Sequence, residues 1–214
     1  MQDRLTVNWM VRPIGSQRIV KRCPGCDAKR SFVSSGAFRV NAQKKSIDVW
    51  HIYKCEQCSF TWNIEIISRT NRSSIDPVMY DRFLRNDPEE SRRQEFNYSL
   101  LSRLRAELGQ TPDFTVDGPG LKEFGPVSAV HVRLGFEFLL PVRLMNVVTQ
   151  KLMLSRRRLT LLIDAGRFRG LSRDDLQRKV NRCYDFEFEA PAVLAEADAH
   201  CRMSEVESSP SVIE

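Results

Sequence analysis

The sequence contains no long apolar run: no segment approaches the roughly 18 consecutive apolar residues that suggest a membrane-spanning helix. Its first residues, MQDRLTVNWMVRP, mix charges with apolar side chains, and they lack the apolar stretch and small-residue cleavage site of a secretory signal. We therefore expect a cytoplasmic protein without a membrane partner. Because thiols stay reduced in the cytoplasm, the six cysteines are expected to be metal ligands or free thiols, not a disulfide framework.

Motifs of the common enzyme classes are also missing. The sequence has no Gly-rich phosphate loop, no nucleophile elbow and no His-Glu metal motif, and its acidic residues show no pairing that points to acid and base roles. His51 lies just before Cys55 and is expected to have a packing or surface role. The sequence therefore predicts a protein that is not an enzyme, with an enzyme of unknown type as an alternative.

Four cysteines stand in two Cys-x-x-Cys pairs: Cys23 with Cys26, and Cys55 with Cys58. The two-residue gap lets both thiolates of one tight turn point at the same ion, and two such turns complete a tetrahedron. Because four cysteines leave no open coordination position, the pattern predicts one structural zinc ion. Lys21, Arg22, Lys29, Arg30 and Lys54 are expected to offset its negative charge.

Iron is the alternative metal, since rubredoxin also uses two such pairs. Rubredoxin-like turns typically carry glycine directly after the second cysteine of each pair, whereas this chain has Asp27 and Ser59. Rubredoxins are also usually acidic, whereas this chain has a net charge of +6. Both differences favour zinc.

Residue patterns predict an α+β protein that starts with a zinc ribbon. Residues 37–42, 47–54 and 60–67 are rich in β-branched and aromatic residues, and they predict a three-stranded antiparallel sheet that brings the cysteine pairs together. A central helix is predicted from Asp87, a capping residue, to Leu108, followed by a stop at Gly109.

The C-terminal part predicts a small α+β module with two short helices. A strand is expected at residues 129–139, a first helix ends at Leu152, and a second begins after the cap Ser155 and stops at Gly166. The expected segments are a zinc-ribbon domain at 1–70, a helical linker region at 71–128, this basic module at 129–189 and a flexible acidic tail at 190–214.

Positive charge is concentrated between Arg143 and Arg182, a segment that contains eleven basic residues and only three acidic ones. Such a concentration is compatible with an anionic partner. Arginines in the first turn of the second helix are suited to phosphate, because the helix N-terminus also favours anions. The residues predicted to bind RNA are Arg143, Lys151, Arg156, Arg157, Arg167 and Arg169.

The same segment resembles the RNA-binding module named after ribosomal protein S-four. The matching residues are Arg143-Leu144, Ser155-Arg156, Ile163 with Gly166, Lys179-Val180 and Asp185. The hairpin that is usual after the second helix of that module is replaced here by Gly170 and an expected helical turn from Ser172. The resemblance implies binding of structured RNA, possible targets being ribosomal or transfer RNA; a protein docking surface is a further alternative.

Most of residues 4–189 also resembles a bacterial family known as domain of unknown function 1062. The resemblance is carried by Cys23-Pro24-Gly25-Cys26, Phe38-Arg39-Val40-Asn41-Ala42, Asp48-Val49-Trp50, Tyr53-Lys54-Cys55 and Thr61-Trp62-Asn63. It implies a bacterial origin and a zinc-ribbon start, but no activity. The functional expectation is a zinc protein that binds structured RNA, with an adaptor that holds another protein through the ribbon as the alternative.

Overall fold

The computed structural model describes residues 4–43 and 46–197. The chain divides into two units. The first, here called the terminal unit, consists of Met1–Arg12 and Phe114–Glu214; the second, the cysteine unit, consists of Pro13–Asp113. The predicted boundaries at residues 70 and 128 differ from this division, because the N-terminal residues join the C-terminal half of the chain.

Strands and helices alternate along the chain. The strands are β1 (Arg4–Ile14), β2 (Ile19–Cys23), β3 (Ala28–Gln43), β4 (Ser46–Cys55), β5 (Thr61–Asn71), β6 (Glu107–Leu108), β7 (Asp113–Asp117), β8 (Ala129–Phe136), β9 (Val142–Arg143), β10 (Phe168–Arg169), β11 (Lys179–Val180) and β12 (Tyr184–Glu189). The helices are α1 (Pro77–Leu84), α2 (Pro88–Glu95), α3 (Tyr98–Arg103), α4 (Leu144–Leu152), α5 (Arg156–Asp164) and α6 (Arg173–Gln177), with 3-10 turns at Arg72–Ser74 and Leu121–Glu123. Residues 190–197 are also helical. The predicted α+β class is confirmed.

The cysteine unit contains an antiparallel sheet of five strands in the order β5-β4-β3-β2-β6. Strands β3, β4 and β5 form the predicted meander, but β2 and β6 extend it, so the expectation of three strands was wrong. Along β4, alternate residues are buried, namely Ile47, Val49, His51, Tyr53 and Cys55. This alternation is expected of a strand with one face on the core, and it carries Cys55 to the end of the buried row.

The single helix predicted from Asp87 to Leu108 is interrupted. Asp87 caps α2 as expected, since its side chain accepts a hydrogen bond from the Glu90 N–H. The side chain of Asn97, however, accepts from the Leu100 N–H and thereby caps a separate helix, α3. Asparagine competes with the helical backbone in this way and favours a new start. Helix α1 was not predicted, although Asp76 and Pro77 provide the same cap and first-turn signal.

The terminal unit has a five-stranded sheet in the order β10-β12-β8-β1-β7. Strand β1 runs parallel to β8, and β12 runs antiparallel to β8 on its other side. Trp9 is fully buried, with its ring centroid 5.8 Å from that of Phe186 and 6.5 Å from that of Phe188. The alternation of exposed and buried residues along β1 fits the pattern of a half-buried strand, but the prediction had assigned no strand to the N-terminus.

The two short helices of the basic module match their prediction closely. Ser155 accepts a hydrogen bond from the Arg158 N–H at the start of α5, and Gly166 adopts a φ of 70° after its end. Ser172 caps the helical turn of α6. Residues 190–197, which were predicted to begin a flexible tail, are helical, and the rest of that tail lies outside the described residues. Within the described ranges, no helix is long and apolar enough to cross a membrane.

Gly118 gives a direct test of the terminal unit. A Cβ at this position would lie 2.3 Å from the Asn8 carbonyl oxygen, and the φ of 114° disfavours any L side chain. Gly118→Ala should therefore lower the free energy of unfolding by roughly 2 to 4 kcal/mol in denaturant titrations. Gly166→Ala is the control: its φ is also positive, but apart from its chain neighbours no atom of the described residues lies within 4 Å of the added Cβ, so it should cost only about 1 kcal/mol. Equal losses for the two variants would contradict the predicted clash.

Candidate metal centre

Two hairpin-like turns carry the four cysteines to one place. Strand β2 ends at Cys23 and β3 begins at Ala28, while β4 ends at Cys55 and β5 begins at Thr61. Because β3 pairs with β4 and Phe32 lies opposite Cys55, both turns lie at the same end of the sheet. The spacing between the two pairs is therefore filled by the β3–β4 hairpin, as predicted.

The four sulfur atoms form a compact cluster. Their Sγ atoms all lie within 4.8 Å of one another, with 3.4 Å between Cys23 and Cys58 and 3.9 Å between Cys26 and Cys55. A tetrahedral ion with metal–sulfur bonds of about 2.3 Å would separate its ligands by about 3.8 Å. The sulfur positions therefore fit one tetrahedral metal ion. Cys23 and Cys55 are buried, whereas Cys58 is exposed.

Both turns share one backbone arrangement. Backbone N–H groups of Gly25 and Cys26 hydrogen-bond to the Cys23 sulfur, and those of Gln57 and Cys58 hydrogen-bond to the Cys55 sulfur. These donors stabilise thiolates, as a metal site requires. The residue after each second cysteine has positive φ, 49° at Asp27 and 59° at Ser59. Asp27 and Ser59 thus adopt the backbone conformation that glycine has at these positions in rubredoxin, although neither is a glycine. These two positions therefore do not distinguish zinc from iron.

The thiol pKa values differ within the cluster. Hydrogen bonding with Cys58, followed by burial, raises the pKa of Cys26 to about 12. Burial alone would raise the pKa of Cys55, but the N–H groups of Cys58 and Gln57 outweigh it and lower that pKa to about 7. Protons and a metal ion would compete for the same sulfurs.

A side chain at Gly25, in the first turn, would disturb the cluster. A Cβ built there would lie 3.0 Å from the Cys58 sulfur, which is the lower limit of real contacts. Glycine thus allows the backbone of one turn to approach a ligand of the other. The sequence shows this glycine within Cys-Pro-Gly-Cys, but only the fold shows that it lies next to the Cys58 sulfur.

Three of the five cations expected to offset the cluster's charge have other contacts. Arg22 forms an ion pair with Asp27 at 2.5 Å, and Lys29 forms one with Glu107 at 2.7 Å. Lys21 Nζ lies 3.8 Å from the centroid of the Trp62 ring, and that ring packs on the core of the cysteine unit. Lys21 also interacts electrostatically with Cys23, so its charge and the backbone N–H groups of the two turns both stabilise negative charge on the sulfurs.

Three of the six residues predicted to bind RNA are engaged within the terminal unit. Arg167 pairs with Glu189 at 2.7 Å, and Arg169 pairs with Glu187 at 3.5 Å. Lys151 Nζ donates to the backbone carbonyls of Val116 and Gly118 at 3.0 and 2.5 Å. The ion pairs neutralise the charges of Arg167 and Arg169, and the hydrogen bonds engage the Lys151 ammonium. These three side chains are therefore less available to RNA than the sequence predicted.

The other three predicted residues are exposed. Arg143 lies at the end of β9, directly opposite Lys179 on β11. Arg156 and Arg157 lie in the first turn of α5, and the Arg156 guanidinium donates to Asn146 Oδ1 at 3.2 Å on the first turn of α4. Lys179 was missed as a candidate, because its neighbour Arg143 lies far away in sequence.

The chain was also compared with known proteins. The model of a family described as Protein of unknown function (DUF1062) matches residues 40–174. The match includes Cys55 and Cys58 but begins after Cys23 and Cys26, and it is shorter than the expected resemblance over residues 4–189. Neither a curated protein nor a solved structure shows significant similarity to the chain.

Gly25→Ala tests whether the turns approach each other as described. The added methyl group should push against the Cys58 sulfur and weaken metal affinity by about 10-fold or more, measured by competition with a chromophoric chelator. Gly120→Ala is the control, since its Cβ would make only an ordinary contact of 3.4 Å with Glu123 in the terminal unit. Unchanged affinity in Gly25→Ala would show that the two turns are farther apart.

Proposed function

Since the chain belongs to the family described as Protein of unknown function (DUF1062), whose description carries no activity, we propose its function from its own residues. The first part of the proposal is a structural zinc ion bound by Cys23, Cys26, Cys55 and Cys58. The observation that carries it is the cluster of four sulfurs within 4.8 Å at the joined ends of two hairpins. Four thiolates fill a tetrahedral shell, so the ion would stabilise the fold and leave no position for a substrate.

Zinc is proposed over iron on chemical grounds. Tetrahedral sites of four thiolates hold zinc or iron, and zinc needs no electron-transfer partner.

A structural role is supported by the core around the site. Tyr53, Phe32 and Ile19 are fully buried beside Cys23 and Cys55, so the ligands belong to the same packed cluster as the sheet.

Cys55→Ser should abolish metal binding and unfold the cysteine unit. Elemental analysis of the purified wild-type protein should give one zinc per chain, and the variant should lack it and lose far-UV signal from the sheet. Cys183→Ser is the matched control, since Cys183 is an exposed thiol outside the cluster, and this variant should keep both zinc and fold. Iron with a visible thiolate absorption band, or a wild-type protein that never takes up metal, would overturn the zinc proposal.

The second part of the proposal is that the terminal unit binds phosphates of structured RNA at the N-terminus of α4. Arg143 precedes this helix, and among the described residues no side chain caps its first N–H groups, although the Leu144 N–H donates to the Arg178 carbonyl at 3.4 Å. The first turn of α4 contains no acidic residue, unlike those of α2 and α6. A helix N-terminus without a side-chain cap, next to cations, favours a bound anion.

Three cations surround that helix end. Arg143 and Lys179 lie directly opposite each other on β9 and β11, and both are exposed. Like charges in cross-strand register are destabilising unless an anion lies between or above them. Arg156 reaches the same helix turn through its bond to Asn146. This cluster supports phosphate binding more directly than the total charge does.

RNA is proposed as the source of the phosphates because the order of elements supports it. An Arg-Leu start, two short helices separated by Ser-Arg and a later Lys-Val strand are the features that resemble the module of ribosomal protein S-four. Helices α4 and α5, the cap Ser155 and the strand β11 correspond to these features. The alternative, an adaptor for another protein, is distinguished by the experiment below.

Replacing Arg143, Arg156 and Lys179 by Gln should weaken binding to transfer RNA or duplex RNA. Each phosphate contact that is lost should flatten the slope of log affinity against log salt by about 0.7 to 0.9. The control is Arg167→Gln, because Arg167 is paired with Glu189 and should contribute little. If the folded triple variant binds RNA with unchanged slope, or the wild-type protein binds no RNA, the terminal unit is better explained as a protein-binding adaptor.

A further inference from the structure

A polar cluster interrupts the buried face of β4 within the cysteine unit. His51 is 1% exposed, and its Nε2 lies 2.8 Å from Ser34 Oγ and 3.0 Å from Ser91 Oγ. The ring stacks on Phe38 with 4.9 Å between centroids, which fixes its plane. Neither the zinc proposal nor the RNA proposal uses this cluster.

An irregularity in β3 presents Ser34 to the imidazole. The register between β3 and β4 shifts between Ser34 and Phe38, and Gly36 has a φ of 75°. The Gly36 N–H then donates to Ser34 Oγ at 3.1 Å. Bulges of this kind re-aim side chains and are frequent beside active sites. A donor on the serine oxygen also stabilises negative charge that would develop there.

Ser34 lies at the wall of a cleft of about 390 Å³ in the cysteine unit. Ser34 and Ser91 line it, together with Ser16 and Glu95. Ser91 is buried, as is His51 beneath it, whereas Ser34 is only half-buried. Both hydroxyls contact the imidazole and line the cleft, and Ser34 is the more exposed of the two, so it is the hydroxyl that a ligand in the cleft reaches more readily.

His51 is an unprotonated imidazole at neutral pH, and its burial makes it a weaker base than a solvent-exposed histidine. Burial lowers the pKa of His51 to about 4, so the imidazole is neutral at neutral pH and one of its ring nitrogens is an acceptor. Both hydroxyls lie within hydrogen-bond distance of Nε2. A neutral imidazole beside a serine hydroxyl is the pair required to activate an oxygen nucleophile.

We propose that Ser34 is a nucleophile for which His51 serves as general base, and that the cleft accepts small carboxylic esters. The volume of the cleft limits the ligand to a small molecule. An acyl group is favoured over a phosphoryl group because the Arg92 guanidinium at the cleft donates to the backbone carbonyls of Gly15 and Pro13. An uncharged ester carbonyl needs no such cation.

The proposed reaction is hydrolysis in two steps. Ser34 Oγ bonds to the ester carbonyl carbon as its proton moves to His51 Nε2; the bond from that carbon to the alcohol oxygen breaks, and the alcohol leaves with the proton. Water then attacks the acyl carbon and gives a proton to His51, the carboxylic acid departs, and Ser34 Oγ regains the proton. The sum is ester plus water giving acid plus alcohol, without an oxidant or a metal.

Diisopropyl fluorophosphate tests the nucleophile, because an activated serine forms a stable phosphorus–oxygen bond with it and releases fluoride. Tandem mass spectrometry of the treated full-length protein should find the label on Ser34. Ser34→Ala should lose both the label and turnover of p-nitrophenyl acetate. Ser35→Ala should keep both, since the Ser35 hydroxyl donates to the Ile52 carbonyl and does not contact His51. Absence of label on Ser34, or label divided among unrelated residues, overturns the proposal.

His51→Gln tests the base and should slow labelling on the order of 10²-fold or more while leaving the circular dichroism spectrum unchanged. Because His51 is buried, a second comparison covers the case in which this variant does not fold. The thiol of Ser34→Cys should react with iodoacetamide faster than that of Ser35→Cys, as followed on the corresponding peptide. Equal rates for the two thiols, or undiminished labelling in a folded His51→Gln variant, would rule out activation by His51.

Discussion

The pairing of β4 with both of its neighbours is the constraint on which the cysteine unit depends. Phe32 lies opposite Cys55 on one side, and Lys54 lies opposite Thr61 on the other. A slip of one residue would turn Cys55 to the opposite face of the sheet and separate its sulfur from the other three. The same register places His51 on the buried face, four residues before Cys55. One strand therefore positions both a proposed metal ligand and a proposed base.

Electrostatics explains why a metal ion would suit the sulfur cluster at the end of this register. Four sulfurs within 4.8 Å cannot all become thiolates unless a cation balances their repulsion. The pKa of Cys26 is raised because a neighbouring thiol opposes its ionisation. The pKa of Cys55 is lowered because backbone N–H donors favour its thiolate. A divalent ion would remove the repulsion, and its binding free energy would then contribute to folding of the sheet.

Local signals in the sequence predicted local structure well. The caps at Asp87 and Ser155 are formed as expected, and the two cysteine pairs converge because their turn geometry is encoded in the spacing. Structure that depends on distant partners was not predictable in this way. Strand β1 pairs with β8 more than a hundred residues later, and His51 meets Ser91 only because α2 packs on β3.

The basic module shows why charge counted along a sequence does not locate a binding surface. Arg167 and Arg169 appear free in the sequence, yet the pairing of β10 with β12 brings Glu189 and Glu187 next to them. The pairing of β9 with β11 has the opposite effect, because it sets Lys179 against Arg143 and concentrates positive charge at one helix end. An ion pair cancels most of the field that a ligand would experience, so an anion would be attracted more strongly to the cluster proposed at the start of α4 than to Arg167 and Arg169.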